Sequence, residues 1–352
     1  MIELKPQLFE SLRQATPQGL RTALQQAVML EHATIPTYLY ALYSFRPESL
    51  RPDGNLEAYT LLRSVVLEEM VHMSLACNLL NAVGGAPAID DPANVPKYPG
   101  PLPGAVESGL VVGLRPMSRQ VVHDTFMVIE EPEDPHHYPV RASLALEAKQ
   151  PLTIGQFYAA IRTQIEELGP AVFTGDPARQ VSGTPFFPEL TPVTDVESAV
   201  NAIDVIVEQG EGTSTSPLDQ EGELAHYYKF AEIWHGKRLV PVKDPKPGEP
   251  DYAYAGAPIH LHPAGIWPAV PDPHRGLYPK GSAVAHANDT FNYTYTALLK
   301  TLHATFNGHP DQFGTSVGVM ESMKEQALAL MSMEIMKDLT AGPTFEYQPL
   351  NP

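Results

Sequence analysis

Cysteine is nearly missing from this sequence: Cys77 is the one thiol in 352 residues. An intramolecular disulfide framework and a thiolate-cluster metal site are thereby excluded. Basic side chains are scarce as well. Lys and Arg total 23 against 41 Asp and Glu, and the net charge of -18 argues against nucleic acid or an anionic membrane surface as partner. No apolar run approaches the roughly 20 residues of a membrane span. Met1-Ile2-Glu3-Leu4-Lys5-Pro6 lacks the charged-then-apolar order of a secretory leader. The expectation is a cytoplasmic protein whose partner is a small molecule, with neither nucleic acid nor membrane involved. Homo-oligomerisation is compatible with it. Hydrophobic residues at 43% suffice for a sizeable core.

Proline, by contrast, is abundant, with 36 residues, and it is bunched. Pro87 to Pro116 and Pro241 to Lys280 carry little periodicity and read as irregular loops laid over a rigid body. Gly109 to Leu114 could add a short strand. Helical patterns fill most of the rest. Thr16-Pro17 is a capping residue followed by proline at the first helical position, and the helix it opens runs to about Phe45. A second helix covers about Leu56 to Val83 and stops at Gly84-Gly85. Ser118 caps a helix to about Glu130, Thr153 one through Leu168, and Asp195 one to about Gln209. Two closing helices, about Asn288 to Phe306 and Asp311 to Lys337, form an αα-hairpin. The expected class is all-α, a four-helix bundle over residues 1–240 and, over 241–352, a Pro-rich loop and helical hairpin packed on it.

Chemistry concentrates on the apolar faces of these helices. In the second helix Leu62, Val65, Ala76, Leu79 and Val83 form a stripe, and Glu69 and His72 fall on it, four and seven residues after Val65. A carboxylate and an imidazole facing a core cost several kcal/mol each unless satisfied, and Glu-x-x-His puts both on one side of a helical turn, where one metal ion can satisfy them. Glu31 occupies the stripe of the first helix, seven residues after Leu24. Pro36 cannot donate to the His32 carbonyl, so a kink or bulge is expected one turn beyond Glu31. In the helix that Asp195 caps, the period favours Glu211 over Glu208 as the inward carboxylate. Glu223, His226, Phe230 and Ile233 then form a second aligned Glu-x-x-His stripe. His136-His137 and His260-Leu261-His262 lie among prolines and read as loop. The set Glu31, Glu69 with His72, Glu211 or Glu208, and Glu223 with His226 matches carboxylate-bridged dinuclear metal centres in four-helix bundles. Four carboxylates and two neutral imidazoles offset most of the charge of two divalent ions and leave positions open to dioxygen. Glu31, Glu69 and Glu211 are the carboxylates assigned to catalysis. Tyr38, Tyr227 and Phe157 are candidate pocket walls.

Leu30-Glu31-His32-Ala33-Thr34-Ile35-Pro36, Glu68-Glu69-Met70-Val71-His72-Met73, Asn78 to Gly85, Gln209-Gly210-Glu211-Gly212 and His226-Tyr227-Tyr228-Lys229-Phe230 resemble blocks of a known family. It is the ferritin-like family of the iminophenyl-pyruvate dimer synthase type, related to the violacein-pathway enzyme that couples two imines derived from an aromatic amino acid. The resemblance covers roughly residues 15 to 240. It implies a ferritin-like fold, two iron ions as cofactor, a dioxygen-dependent oxidation or coupling of an amino-acid-derived substrate, and ligand roles for Glu31, Glu69, His72, Glu211 and His226. Glu208 and Glu223 are held less firmly, with Glu166 or Glu167 as substitutes. Manganese or copper suits the same ligands. The competing readings are metal storage without organic chemistry, and a metal-free bundle serving as scaffold.

Overall fold

Thr16 does what its position implies: its side chain accepts from the Gly19 N–H at 3.0 Å, and Pro17 opens helix α1, Pro17–Tyr43. The structure is a computed structural model that describes residues 15–103, 109–132, 153–184, 187–213, 215–243, 245 and 250–349. The second helix, α2, spans Leu56–Ala82. It returns alongside α1, so that Arg21 near the start of α1 donates to the Val83 carbonyl just past the end of α2 at 2.8 Å. Both helices lose their amphipathic character where they meet. From Thr37 to Phe45 and from Val71 to Val83 every residue is buried, as befits helices at the centre of a core rather than at its edge. Pro36 lies inside α1 without interrupting it.

The expected bulge occurs elsewhere. Helix α3, residues 119–129, starts on the Ser118 cap, passes through a π-turn at Val122–Phe126 and ends in Met127–Ile129. Such turns re-aim the side chains that follow them, and Glu130 is the next residue. Helix α4, Ile154–Leu168, and helix α5, Val196–Glu211, each begin with a reciprocal capping box, Thr153 with Gln156 and Asp195 with Ser198. The helices α1, α2, α5 and α4 close a four-membered ring, each in contact with its two neighbours. Helix α6, His226–His235, is short; it packs against α2 and α5 and is contacted in turn by α3. Gly236 ends it with φ 71°, the left-handed turn that glycine takes without strain.

Beyond α6, where a Pro-rich loop was expected, the chain first forms strands. A hairpin of β1 (Lys237–Pro241) and β2 (Tyr252–Pro258) leads into an extended stretch. That stretch is tied to the end of α1 by Trp267 N–H to Ser44 O at 2.7 Å and Arg46 N–H to Gly265 O at 2.9 Å. Helices α7 (Ala283–Phe306) and α8 (Phe313–Met331) form the terminal hairpin. The second stops short of Lys337 because Glu334–Met336 (β3) pairs with Leu339–Thr340 (β4). Around Gly109 to Leu114, in place of a strand, one bridge joins Val112 to Gly100. No helix among the described residues is long and apolar enough to cross a membrane.

Candidate metal centre

Four sequence-predicted residues meet where α6 packs against the ring of helices. Glu31 on α1, Glu69 and His72 on α2, and His226 as the first residue of α6 are each at most 2% exposed. The Nδ1 atom of His72 lies 3.6 Å from Glu69 Oε1 and 3.9 Å from Glu31 Oε2. The Nδ1 atom of His226 lies 3.0 Å from the same Glu69 oxygen and 3.5 Å from Glu130 Oε2. The two imidazoles stack, with centroids 5.2 Å apart. The gap among Glu31, Glu69, His72, Glu130 and Glu211 is about 10 Å³, near the size that admits one water-sized particle.

Each group is also held from behind. Tyr158 of α4 donates to Glu31 Oε1 at 2.6 Å, Thr34 of α1 to Glu69 Oε2 at 2.5 Å, and Tyr38 of α1 to Glu130 Oε1 at 2.5 Å. The far nitrogen of each imidazole faces an acceptor. His72 Nε2 is 2.9 Å from Gln209 Oε1, and His226 Nε2 is 2.8 Å from Glu68 Oε2. An amide oxygen and a carboxylate can only accept, so both rings donate through Nε2 and, when neutral, turn a bare Nδ1 lone pair toward carboxylate oxygens. That juxtaposition is repulsive unless a proton or a metal ion lies between. His226 Nδ1 is buried and has no hydrogen-bond partner, although Glu69 Oε1 lies 3.0 Å away.

The titration of these groups expresses the same need for positive charge. Burial, reinforced by the Glu69 charge, pushes the Glu31 carboxyl up to about 8, and burial likewise raises Glu130. Burial opposes ionisation of Glu69 too, but its contacts with His226 and His72 outweigh it and hold that carboxyl well below the usual range. Both imidazoles are raised despite burial, His72 by Glu69 and His226 by Glu130, Glu68 and Glu69. Glu69, His72 and His226 can bring one ligand atom each within 4.8 Å of one another, a cluster able to hold a metal ion.

The structure does not bring every expected ligand here. Glu223 is exposed, and its backbone N–H is bound to Asp219 Oδ1. Because α6 starts only at His226, Glu223 and His226 share no helical turn, and the second Glu-x-x-His stripe does not exist as such. Glu208 lies toward the surface with Gln220 Nε2 at 3.0 Å. Glu211 reaches the rim of the gap, where its Oε1 accepts from Gly155 N–H at 2.7 Å in the first turn of α4. Glu166 and Glu167 are exposed, the former paired with Arg162. Tyr38 is a hydrogen-bond donor inside the centre, Phe157 is core, and Tyr227 packs on Tyr228 instead. His260 and His262 are exposed, and His136 and His137 lie outside the described residues.

Glu130 is the carboxylate that sequence reading passed over. Its signal was partial: it follows the fully buried Phe126 by four residues, the spacing of a helix face, but the π-turn at Val122–Phe126 breaks that period upstream. Glu68, Gln209, Thr34 and Tyr158 carried no comparable signal, since polar residues beside a stripe are ordinarily solvated.

Comparison with known proteins agrees with this architecture. A family model described as ferritin-like matches residues 24–235. The dichlorochromopyrrolate synthase of Lentzea aerocolonigenes is 26% identical over 95% of this chain, and the chain spans 37% of that protein's length. A crystal structure of a ferritin-like protein from Caulobacter vibrioides superposes with a TM-score of 0.61 at 24% identity, covering 94% of this chain and 97% of that one, a likeness of fold.

Proposed function

The chain belongs to the ferritin-like family, and on that premise we propose that it is a non-haem dinuclear metal oxidoreductase, with iron as the metal. It would oxidise or couple a small amino-acid-derived molecule with dioxygen, in the manner of the iminophenyl-pyruvate dimer synthases. The observation that carries the reading is one carboxylate oxygen, Glu69 Oε1, faced by the Nδ1 atoms of His72 and His226 at 3.6 and 3.0 Å, the latter without a hydrogen bond. Donor atoms that share a metal at about 2.1 Å stand roughly 3.0–3.4 Å apart, close to these spacings. Glu31, Glu69 and His72 would hold one ion, and Glu69, Glu130 and His226 the other. Glu211 stands at the rim, and Glu208 and Glu223 have no part.

Iron bound there supplies redox chemistry with dioxygen that amino-acid side chains lack. The protein's own contribution is preorganisation. Tyr158, Thr34 and Tyr38 each occupy one carboxylate oxygen and so aim the other at the gap. Gln209 and Glu68 fix the ring tautomers that leave Nδ1 free to bind. The surrounding buried ring of α1, α2, α4 and α5 keeps bulk water from the centre. A relative named as a synthase of dichlorochromopyrrolate supports a biosynthetic reaction on a small organic molecule.

Iron stoichiometry after anaerobic reconstitution tests the assignment. Two irons per chain in the wild type and in Glu223→Ala, but fewer in Glu130→Ala, is the expected pattern. Loaded protein is then incubated with aromatic amino-acid-derived imines and dioxygen, and coupled products are sought by mass spectrometry. A wild-type chain that binds no metal after reconstitution would leave Glu69, His72 and His226 as buried structural groups and end the oxidoreductase reading.

A further inference from the structure

One residue along each central helix from the proposed ligands, and therefore about 100° around it, lies a second hollow. His32 and Ile35 of α1, Met70 and Met73 of α2, and Leu299 of α7 line it, with Met320 and Met323 of α8 opposite. Its volume is about 60 Å³. A single water needs roughly 10–15 Å³ of such space, while a cavity that admits benzene measures about 150 Å³. The hollow therefore exceeds one water and falls short of an aromatic ring.

Its polar groups are few, and those of His32, Tyr295 and Ser74 are paired. His32 Nε2 and Tyr295 Oη hydrogen-bond to each other at 2.8 Å, and Ser74 Oγ donates back to the Met70 carbonyl at 2.8 Å. Water in a cavity needs two to four polar partners, and this largely apolar wall is poor in them. Thioether sulfurs and aliphatic carbons instead favour a small polarisable apolar guest through dispersion. We propose that the cavity is a dioxygen-binding pocket, holding the apolar oxidant beside the helices that carry Glu31, Glu69 and His72. Its identification with dioxygen rests on the oxidase reading above. Its size and apolar lining do not.

Xenon-pressurised crystals of the full chain test occupancy, and dissolved dioxygen tests the ligand itself. Protein labelled at the methionine methyl carbons and kept in chelator is compared by NMR under nitrogen and under dioxygen. The expected result is xenon density in the cavity, together with paramagnetic relaxation of Met70, Met73, Met320 and Met323 severalfold above that of Met331, which is buried but lines no part of it. Leu299→Phe should abolish both signals. Leu299→Ala, which enlarges the cavity, should retain both, and serves if the larger side chain prevents folding. Ordered water in place of xenon, or cavity methyls relaxed no more than Met331, overturns the proposal. Neither readout needs bound metal, so a chain that fails to take up iron sinks the oxidase reading and leaves these measurements to decide the pocket by themselves.

Discussion

Lys229 offers the sharpest test of how the centre is supported. Its ammonium is 2.5 and 2.8 Å from the two oxygens of Glu68, whose Oε2 also accepts from His226. The Lys229 side chain is 7% exposed and that of Glu68 26%. Burial opposes the Glu68 charge, yet His226 and then Lys229 hold its carboxyl down to about 2. Lys229→Met keeps the stem and removes the charge. Breaking a fully buried pair costs about 3–5 kcal/mol. Glu68 keeps His226 and some water, so about 2–3 kcal/mol is expected after discounting for that exposure. With unfolding entropy near 2.1 cal/mol/K per residue, that loss lowers Tm by about 3–4 °C. Glu68→Gln alone should cost a similar amount, by stranding the ammonium. The double variant, whose amide oxygen still accepts from His226, should lose only about 1 kcal/mol, since nothing charged is left unpaired. Chemical denaturation of the four proteins measures the cycle. Losses that simply add would refute the claim that Lys229 and Glu68 act as a unit.

Stability of the metal-free chain should depend on pH with a definite sign. Glu31 carries its proton up to about 8 in the folded state against 4.5 as the ordinary value, and both imidazoles are raised above 6.5. Each group binds its proton more tightly when folded. The stability they contribute is full below their unfolded values and is lost as pH rises through the folded ones. Thermal melts in chelator should therefore fall as pH rises from about 4.5 to about 8, whereas metal uptake over the same window should strengthen and release protons. A flat profile would contradict the buried, unneutralised cluster. Tyr158→Phe removes the donor to Glu31 Oε1 and should weaken metal binding about 10- to 100-fold in competition with a chromogenic chelator, and an unchanged affinity would count against its positioning role. A Cβ on Gly175 would lie 1.7 Å from the Asn81 carbonyl oxygen, so Gly175→Ala should cost about 3 kcal/mol. Gly318, exposed inside α8 with open space around it, should instead gain about 0.5–1 kcal/mol on mutation to Ala. Equal melting temperatures for these two variants would show that the packing at Gly175 is misplaced.

What local sequence could determine here is what a helix repeats every turn. Thr16-Pro17, Thr153 and Asp195 announced their helices because capping is chemistry among neighbours, and each holds in the structure. The helical class was legible for the same reason, and the ferritin-like fold followed from the resemblance of short sequence blocks to a known family. The pairing of Glu69 with His72 on one buried face was legible too, since three residues along a helix always return to the same side. Period alone does not say where a helix begins or how it is wound. Glu223 and His226 share a stripe only if a helix already runs through both, and the turn around Asp219 keeps the chain out of it until His226. Glu130 faces the centre after a π-turn that the sequence does not mark. The burial of α1 and α2 on every side, and the choice of Glu68, Gln209 and Tyr158 as supports, were decided by tertiary structure. A buried polar group is satisfied by whatever packing brings within reach, and its partners here lie 127 to 158 residues away along the chain.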